Sequence, residues 1–281
     1  MKETLAYAAC HPGCMGLNSP SRLPDSDWQQ RLLPVLAGLA SEDARVSDLR
    51  AHGSNSSTVA AADRWSDLDV QVTATEPIGA AESLARRIGA RVAPVFAASR
   101  SGSASGYCVR LVLADLRRID ISAVPAVPAV PAEPSDGTGQ ALEPEQHQEP
   151  SEAVAETLAD FRFEAVLAAV KAARGDVLIG AHLTLQLARH VLVIAMLLRD
   201  RDAGTSHHRH GGSRWDQWAA RLAAAPAPYS RAGITAAIRF YASMLDEILA
   251  CWDPEVRLDS SPLLGLLSAV DLYGADKAQA G

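Results

Sequence analysis

Lysine is scarce in this sequence: three of the 26 basic residues are lysines, and the others are arginines. The arginines are scattered and form no basic stripe, while the formal net charge is -7. Proteins that bind duplex nucleic acid through its phosphates need a clustered positive face. The sequence therefore argues against nucleic acid as the main partner. Its acidic balance suits a cationic small molecule instead, through long-range steering.

Cysteine is also rare. The four cysteines are Cys10, Cys14, Cys108 and Cys251. The first two flank His11, but no second ligand pair follows at a spacing typical of a zinc site, so we expect free thiols in a disordered tail over residues 1–24. The other two lie in apolar surroundings and are expected in the core. With no basic segment leading into a sustained apolar run, the sequence predicts a cytoplasmic protein.

A change of composition divides the chain. Val-Pro-Ala occurs three times in succession from residue 124, and a stretch rich in Pro, Glu, Gln and Gly follows. Such sequence buries too little apolar surface to offset its ordering entropy, so residues 125–152 are predicted to be a linker or exposed loop. We expect one domain over residues 25–124, a second over 153–273, and a tail over 274–281.

The second domain is predicted to be a bundle of four or five helices. Apolar residues recur at helical spacing from Phe163 to Val170, and Arg174-Gly175-Asp176 is typical of a helix end followed by a new N-cap. Val177 to Arg201 is apolar, but interruptions such as His182 and Arg189 favour a bundle helix over a membrane span. Further helices are expected over Ser213 to Ala224, Tyr229 to Trp252 and Pro262 to Leu272.

The first domain contains the most informative motif. A predicted strand over Val46 to Ala51 leads into Gly53-Ser54, and a twelve-residue segment then leads into Asp67-Leu68-Asp69. In a strand, residues i and i+2 share a face about 6.6 Å apart. Two carboxylates this close repel each other, and a hard dication such as Mg²⁺ removes the conflict. Gly53 permits close backbone approach, and Ser54 offers donors to a phosphate.

A third aspartate lies further along the chain. Tyr107 to Leu113 and Arg118 to Ser122 are typical of two strands joined by a tight polar turn. Asp120 stands between two isoleucines, so the alternation of the strand places its carboxylate alone on one face.

This pattern resembles the nucleotidyltransferase superfamily that includes DNA polymerase beta, in which Gly-Ser or Gly-Gly precedes Asp-x-Asp/Glu by about a dozen residues. The resemblance implies an α+β fold, with a small mixed sheet and flanking helices before the helical bundle. It implies that Asp67, Asp69 and Asp120 hold Mg²⁺ and that ATP or another NTP is the co-substrate. Asp120 would complete the metal site or accept the acceptor's proton, and Ser54 would bind a terminal phosphate.

Trp65-Ser66-Asp67-Leu68-Asp69, together with the following bundle, is similar to the aminoglycoside and lincosamide antibiotic nucleotidyltransferases. Phe163 to Leu183 is similar to the first bundle helix of the lincosamide enzymes. The resemblance implies antibiotic resistance by transfer of NMP to a hydroxyl with release of pyrophosphate. An aminoglycoside is the first expected acceptor, and a lincosamide is the second. Lys171, the one lysine away from the chain ends, is a candidate phosphate ligand or a residue that snorkels from its helix. Glu164 is an alternative general base.

Several alternatives remain open from the sequence. The chain could be a regulatory or antitoxin-like module that modifies or binds a protein, or a nucleotide-binding domain without activity, although all three acidic positions are filled. His207, His208 and His210 fit a polar loop at the substrate cleft better than a metal site. Arg201 and His207 meet the Arg-x4-6-His spacing of HEPN domains, but Gly204 disfavours the single helix required. A homodimer is also compatible with the sequence.

Overall fold

The computed structural model describes residues 23–52, 63–103, 106–126, 150–205, 212–256 and 258–279. The first part contains α1 (Trp28–Ser41), β1 (Val46–Ala51), β2 (Leu68–Ala74), α2 (Pro77–Arg91), β3 (Val95–Ser103), β4 (Gly106–Leu113) and β5 (Arg118–Pro125). The second part contains α3 (Pro150–Ala173), α4 (Val177–Ala203), a 3-10 turn (Arg214–Asp216), α5 (Gln217–Leu222), α6 (Arg231–Trp252) and α7 (Ser261–Gln279).

The five strands form one mixed sheet in the order β1-β2-β5-β4-β3. β2 and β5 pair in parallel, and the other neighbours pair antiparallel. Alternate residues of β2, including Leu68, Val70 and Val72, are buried against a core that contains apolar residues of α1 and α2. Because side chains alternate along a strand, Asp69 points to the opposite face of the sheet. That face is the one covered by the helical bundle.

A second core lies between this face and the bundle. Trp65, Phe96 and Leu116 from the sheet half are buried in the same cluster as the inward residues of α3, α4, α6 and α7. Trp65 also meets the ring of Tyr273 from α7 edge-on, with 5.7 Å between ring centroids. Leu116 has a φ of 69° in the β4–β5 turn, a left-handed conformation that is unusual for leucine. Its burial under the bundle offsets that strain.

The bundle begins with α3 and α4, which pack along their lengths. Gly175 has a φ of 82° between them, and the Asp176 carboxylate accepts a hydrogen bond from the backbone N–H of Ile179 at 3.3 Å. This end and N-cap match the sequence prediction. α4 ends at Ala203, before Gly204 in the left-handed conformation. A single helix through Arg201 and His207, which the HEPN motif requires, is therefore absent from the described part of the chain.

α4 is long and apolar enough, by length and composition, to cross a membrane, but core helices of water-soluble proteins pass the same test. One third of its most apolar window is buried, and Leu187, Ile194 and Leu198 lie fully in the bundle core. The prediction of a bundle helix is confirmed for this face. Leu178 and Leu185 are exposed on the outer face.

The α+β fold with a C-terminal helical bundle is confirmed, with some differences in detail. α2 and β3 were not predicted, α6 begins at Arg231, and the helix expected from Ser213 is a 3-10 turn followed by a short helix. The expectation that Cys251 is a core residue is wrong: it is exposed near the end of α6, and Cys108 is half-buried on the bundle face of the sheet. Residues 1–22 and 127–149 lie outside the described residues, so the predicted tail and most of the linker stay predictions.

Phe161 provides a test of the second core. Its side chain is 1% exposed and meets the ring of His190 in α4 at 6.3 Å between centroids. We expect Phe161→Ala to lower the free energy of unfolding by about 3–5 kcal/mol, because lost burial and a residual cavity add together. Urea denaturation measures the change. Leu178→Ala, at a position that is 80% exposed, is the control and should shift stability by less than about 0.5 kcal/mol.

Candidate active site

Three aspartates converge on the bundle face of the sheet. Asp67 immediately precedes β2, Asp69 lies within it, and Asp120 is the direct partner of Asp69 in the parallel pairing of β2 with β5. Each of the three offers a carboxylate oxygen, and these atoms all lie within 4.8 Å of one another. All three residues are partly buried. The sheet register therefore brings together carboxylates that are more than 50 residues apart in sequence.

Their proximity changes their acidity. Burial, the charge of Asp67 and the charge of Asp69 raise the pKa of Asp120 to about 6, although Arg110 opposes the shift. Burial and Asp67 also raise the pKa of Asp69. The three carboxyl groups by themselves thus resist carrying all three negative charges. Hard oxygen donors at this separation fit a divalent cation such as Mg²⁺, which would favour the ionised forms.

Two arginines flank the carboxylates, and neither was predicted from the sequence to be a site residue. The Nε atom of Arg110 lies 3.3 Å from Oδ2 of Asp120, and the two residues are direct partners across β4 and β5. Arg118 is 8% exposed, with Nη1 4.0 Å from Oδ2 of Asp67, and it donates a hydrogen bond to the carbonyl of Trp65. The i, i+2 spacing of Arg118 and Asp120 already implied a shared face.

A cavity of about 310 Å³ separates this part of the sheet from α3. Asp67, Asp120, Arg110 and Arg118 line one side. The α3 side consists of Phe163, Val166, Leu167, Val170, Lys171 and Arg174. The predicted phosphate ligand Lys171 therefore faces the same cavity as two of the three aspartates, while its Nζ atom lies 3.5 Å from Oδ2 of Asp176.

Arg174 ties the bundle to the segment that leads into the aspartates. Its Nη2 atom donates to Oδ1 of Asp63 at 2.7 Å and to Oγ of Ser66 at 2.9 Å. Gln29 of α1 donates to the backbone carbonyls of Asp63 and Ser66, each at 3.3 Å. Burial would raise the pKa of Asp63, but the hydrogen bonds from Arg174 and Ser66 outweigh it and lower that pKa. Asp67 directly follows the segment held in this way.

The other residues singled out in the sequence have different positions. Gly53 and Ser54 lie outside the described residues, as do His207, His208 and His210. The alternative base Glu164 does not line the cavity among the residues that the structure describes. Its Oε2 atom lies 2.9 Å from Nε2 of the buried His190 in α4. Glu164 thus contributes to packing between α3 and α4 rather than to the described site.

Solved structures to which this chain is similar include the following two. One is an aminoglycoside 6-adenyltransferase from Bacillus subtilis, at 9% identity and a TM-score of 0.24, covering 92% of this chain and 99% of that chain. The other is the Bradyrhizobium diazoefficiens CD-NTase CdnG in complex with GTP, at 12% identity and a TM-score of 0.26, covering 90% and 95%. No protein-family model and no curated protein matches.

Both names agree in kind with the nucleotidyltransferase resemblance carried by Asp67-Leu68-Asp69. Similarity at TM-scores below 0.5 says nothing about the activity of this chain.

The raised pKa of Asp120 predicts a stability that depends on pH. A carboxyl group whose pKa is raised by folding stabilises the fold at low pH, and this contribution is lost as the pH rises through about 6. We therefore expect Asp120→Asn to leave stability unchanged near pH 4 and, at pH 8 without divalent ions, to increase the free energy of unfolding by about 1–3 kcal/mol.

Urea denaturation at the two pH values measures this difference. The control is Asp48→Asn, which removes a surface carboxylate of β1 that is paired with Arg50 and should give no such gain at pH 8. Equal effects of the two substitutions at pH 8 would contradict the role assigned to carboxylate repulsion.

Proposed function

We propose that this protein is a Mg²⁺-dependent nucleotidyltransferase that transfers NMP from an NTP to a hydroxyl group of a small molecule. The observation that carries the proposal is the convergence of three carboxylates within 4.8 Å at a cavity that is also lined by four cationic side chains. Carboxylates suit a divalent metal, and guanidinium and ammonium groups suit phosphates. The two sets side by side match the charge pattern of a metal-bound triphosphate.

Asp67, Asp69 and Asp120 would hold the metal, which supplies charge stabilisation for displacement at the α-phosphorus. Four cationic side chains line the cavity and would neutralise phosphate oxygens: Arg110, Arg118, Lys171 and Arg174. Of these, only Lys171 was predicted as a phosphate ligand from the sequence. Gly53 and Ser54 are proposed to bind the terminal phosphate. The acceptor oxygen bonds to the α-phosphorus as the bond from that phosphorus to the bridging oxygen breaks, and pyrophosphate leaves.

Asp120 is the proposed acceptor of the hydroxyl proton, or else the third metal ligand. Its position between Arg110 and the other aspartates decides its protonation, because the arginine favours the carboxylate and the aspartates oppose it. A bound metal would favour the ionised form, which is the form able to take a proton. ATP is the first proposed nucleotide. An aminoglycoside and then a lincosamide are the acceptors to test from the sequence resemblance.

The test is to incubate the protein with Mg²⁺, each of the four α-labelled NTPs, and a panel that contains kanamycin, lincomycin and uncharged hydroxyl compounds. We expect pyrophosphate release that depends on an acceptor and that is abolished by EDTA and restored by excess Mg²⁺. Asp67→Ala should reduce the rate at least a hundredfold, because removing a metal ligand removes charge stabilisation at the α-phosphorus.

Asp48→Ala is the matched control, because it removes a carboxylate from an outer strand and should retain the rate. Acceptor-dependent turnover that survives Asp67→Ala would defeat the proposal. If label appears on a protein of the host extract and on no small molecule, the regulatory alternative replaces the small-molecule one.

A further inference from the structure

The α3 wall of the cavity changes character along the helix. Phe163 and Leu167 are half-buried, Val166 and Val170 are buried, and all four line the cavity before Lys171 and Arg174 do. Residues 163, 167, 170, 171 and 174 recur at helical spacing, so they share one face of α3. From Phe163 to Arg174 this face runs about 16 Å along the helix axis. One end is apolar and the other is cationic.

The cationic end is next to the segment that leads into the aspartates. Arg174 contacts Asp63 and Ser66, and Asp67 follows directly. A triphosphate held by the metal site and these cations would occupy this end of the cavity. The apolar end is then the part of the wall left for a second substrate, which has to place a hydroxyl near Asp120.

Few carboxylates around the cavity are available to bind an ammonium group. Asp67 and Asp120 are the lining carboxylates among the described residues, and both belong to the proposed metal site. Asp63 and Asp176 lie nearby but are paired with Arg174 and Lys171. Among the described residues, a polycation would therefore meet no carboxylate at the cavity that is not already engaged.

From this wall we infer that the acceptor is a hydroxyl compound with an apolar face and at most one cationic group, which packs against Phe163, Leu167 and Val170. The inference rests on the proposed function and reverses the order of acceptors expected from the sequence. The net charge of -7 had favoured a cationic acceptor. Net charge describes the whole surface, however, whereas selectivity depends on the charges that line the site.

The first measurement is binding to the protein saturated with Mg²⁺ and α,β-methylene ATP, or α,β-methylene GTP if ATP does not bind. Isothermal titration compares chloramphenicol and thymidine, which are uncharged hydroxyl compounds with a flat conjugated ring, with polycationic kanamycin. We expect at least one uncharged compound to bind at least tenfold more tightly than kanamycin. Tighter binding of kanamycin, or no binding of either uncharged compound at 10 mM, would overturn the inference.

The second measurement locates the binding. Leu167→Glu places a carboxylate on the apolar wall and should weaken binding of the uncharged compound at least tenfold. Leu178→Glu makes the same change at an exposed position of α4 outside the cavity and should have no effect. Circular dichroism and thermal melting of both variants establish that they are folded.

Nucleotide binding separates the two proposals. Leu167→Glu should leave Mg²⁺-dependent affinity for the methylene nucleotide within threefold of the wild type. If that affinity falls instead and acceptor binding is unchanged, the apolar wall holds the nucleotide base, and the acceptor inference fails while the nucleotidyltransferase proposal stands. If no nucleotide binds with Mg²⁺ even to the wild-type protein, the proposed function itself fails.

Discussion

The site depends on the parallel pairing of β2 with β5. This pairing is the one parallel ladder of the described sheet, and it places Asp69 directly beside Asp120. The hydrophobic residues on the other face of both strands hold the register, because a slip of one residue would turn Leu68, Val70 and Ile119 out of their core. Burial of apolar side chains on one face of the sheet therefore keeps the mutually repelling carboxylates together on the other face.

Because the carboxylates repel one another, their stability also depends on the cationic side chains around them. Arg110 reaches Asp120 from β4, and buried Arg118 lies between Asp67 and the carbonyl of Trp65. A buried guanidinium is itself costly unless it is paired. The aspartates and the arginines thus stabilise one another. In the proposed complex, the metal and the phosphates would bind among aspartates and arginines whose negative and positive charges already alternate.

Much of the sheet and of the acidic cluster could be predicted from the sequence. The alternation around Asp120 and the i, i+2 spacing of Asp67 and Asp69 indicate which face of a strand each residue occupies. The structure places these residues on those faces. Gly175 and Asp176 likewise marked a helix boundary correctly. These signals are local: each is contained within a few residues and depends on backbone geometry alone.

The remaining parts of the site depend on contacts between distant segments. The arginine opposite Asp120 requires the β4–β5 register, and the contact of Arg174 with Asp63 joins residues that are 111 positions apart. Nothing near Arg174 in the sequence indicates that partner. The exposed position of Cys251 was missed for a similar reason, because apolar neighbours in a helix do not reveal which face is covered. Gly53 and Ser54 remain predictions from the motif.

The packing of Trp65, Phe96 and Leu116 under the bundle has a consequence for how the chain can be divided. Each of the three is less than 9% exposed, and each is covered by residues that follow the Val-Pro-Ala repeats. Cutting the chain within those repeats would expose these side chains and remove the α3 wall of the cavity. The boundary is conspicuous in composition, yet described residues on both sides of it share one hydrophobic core.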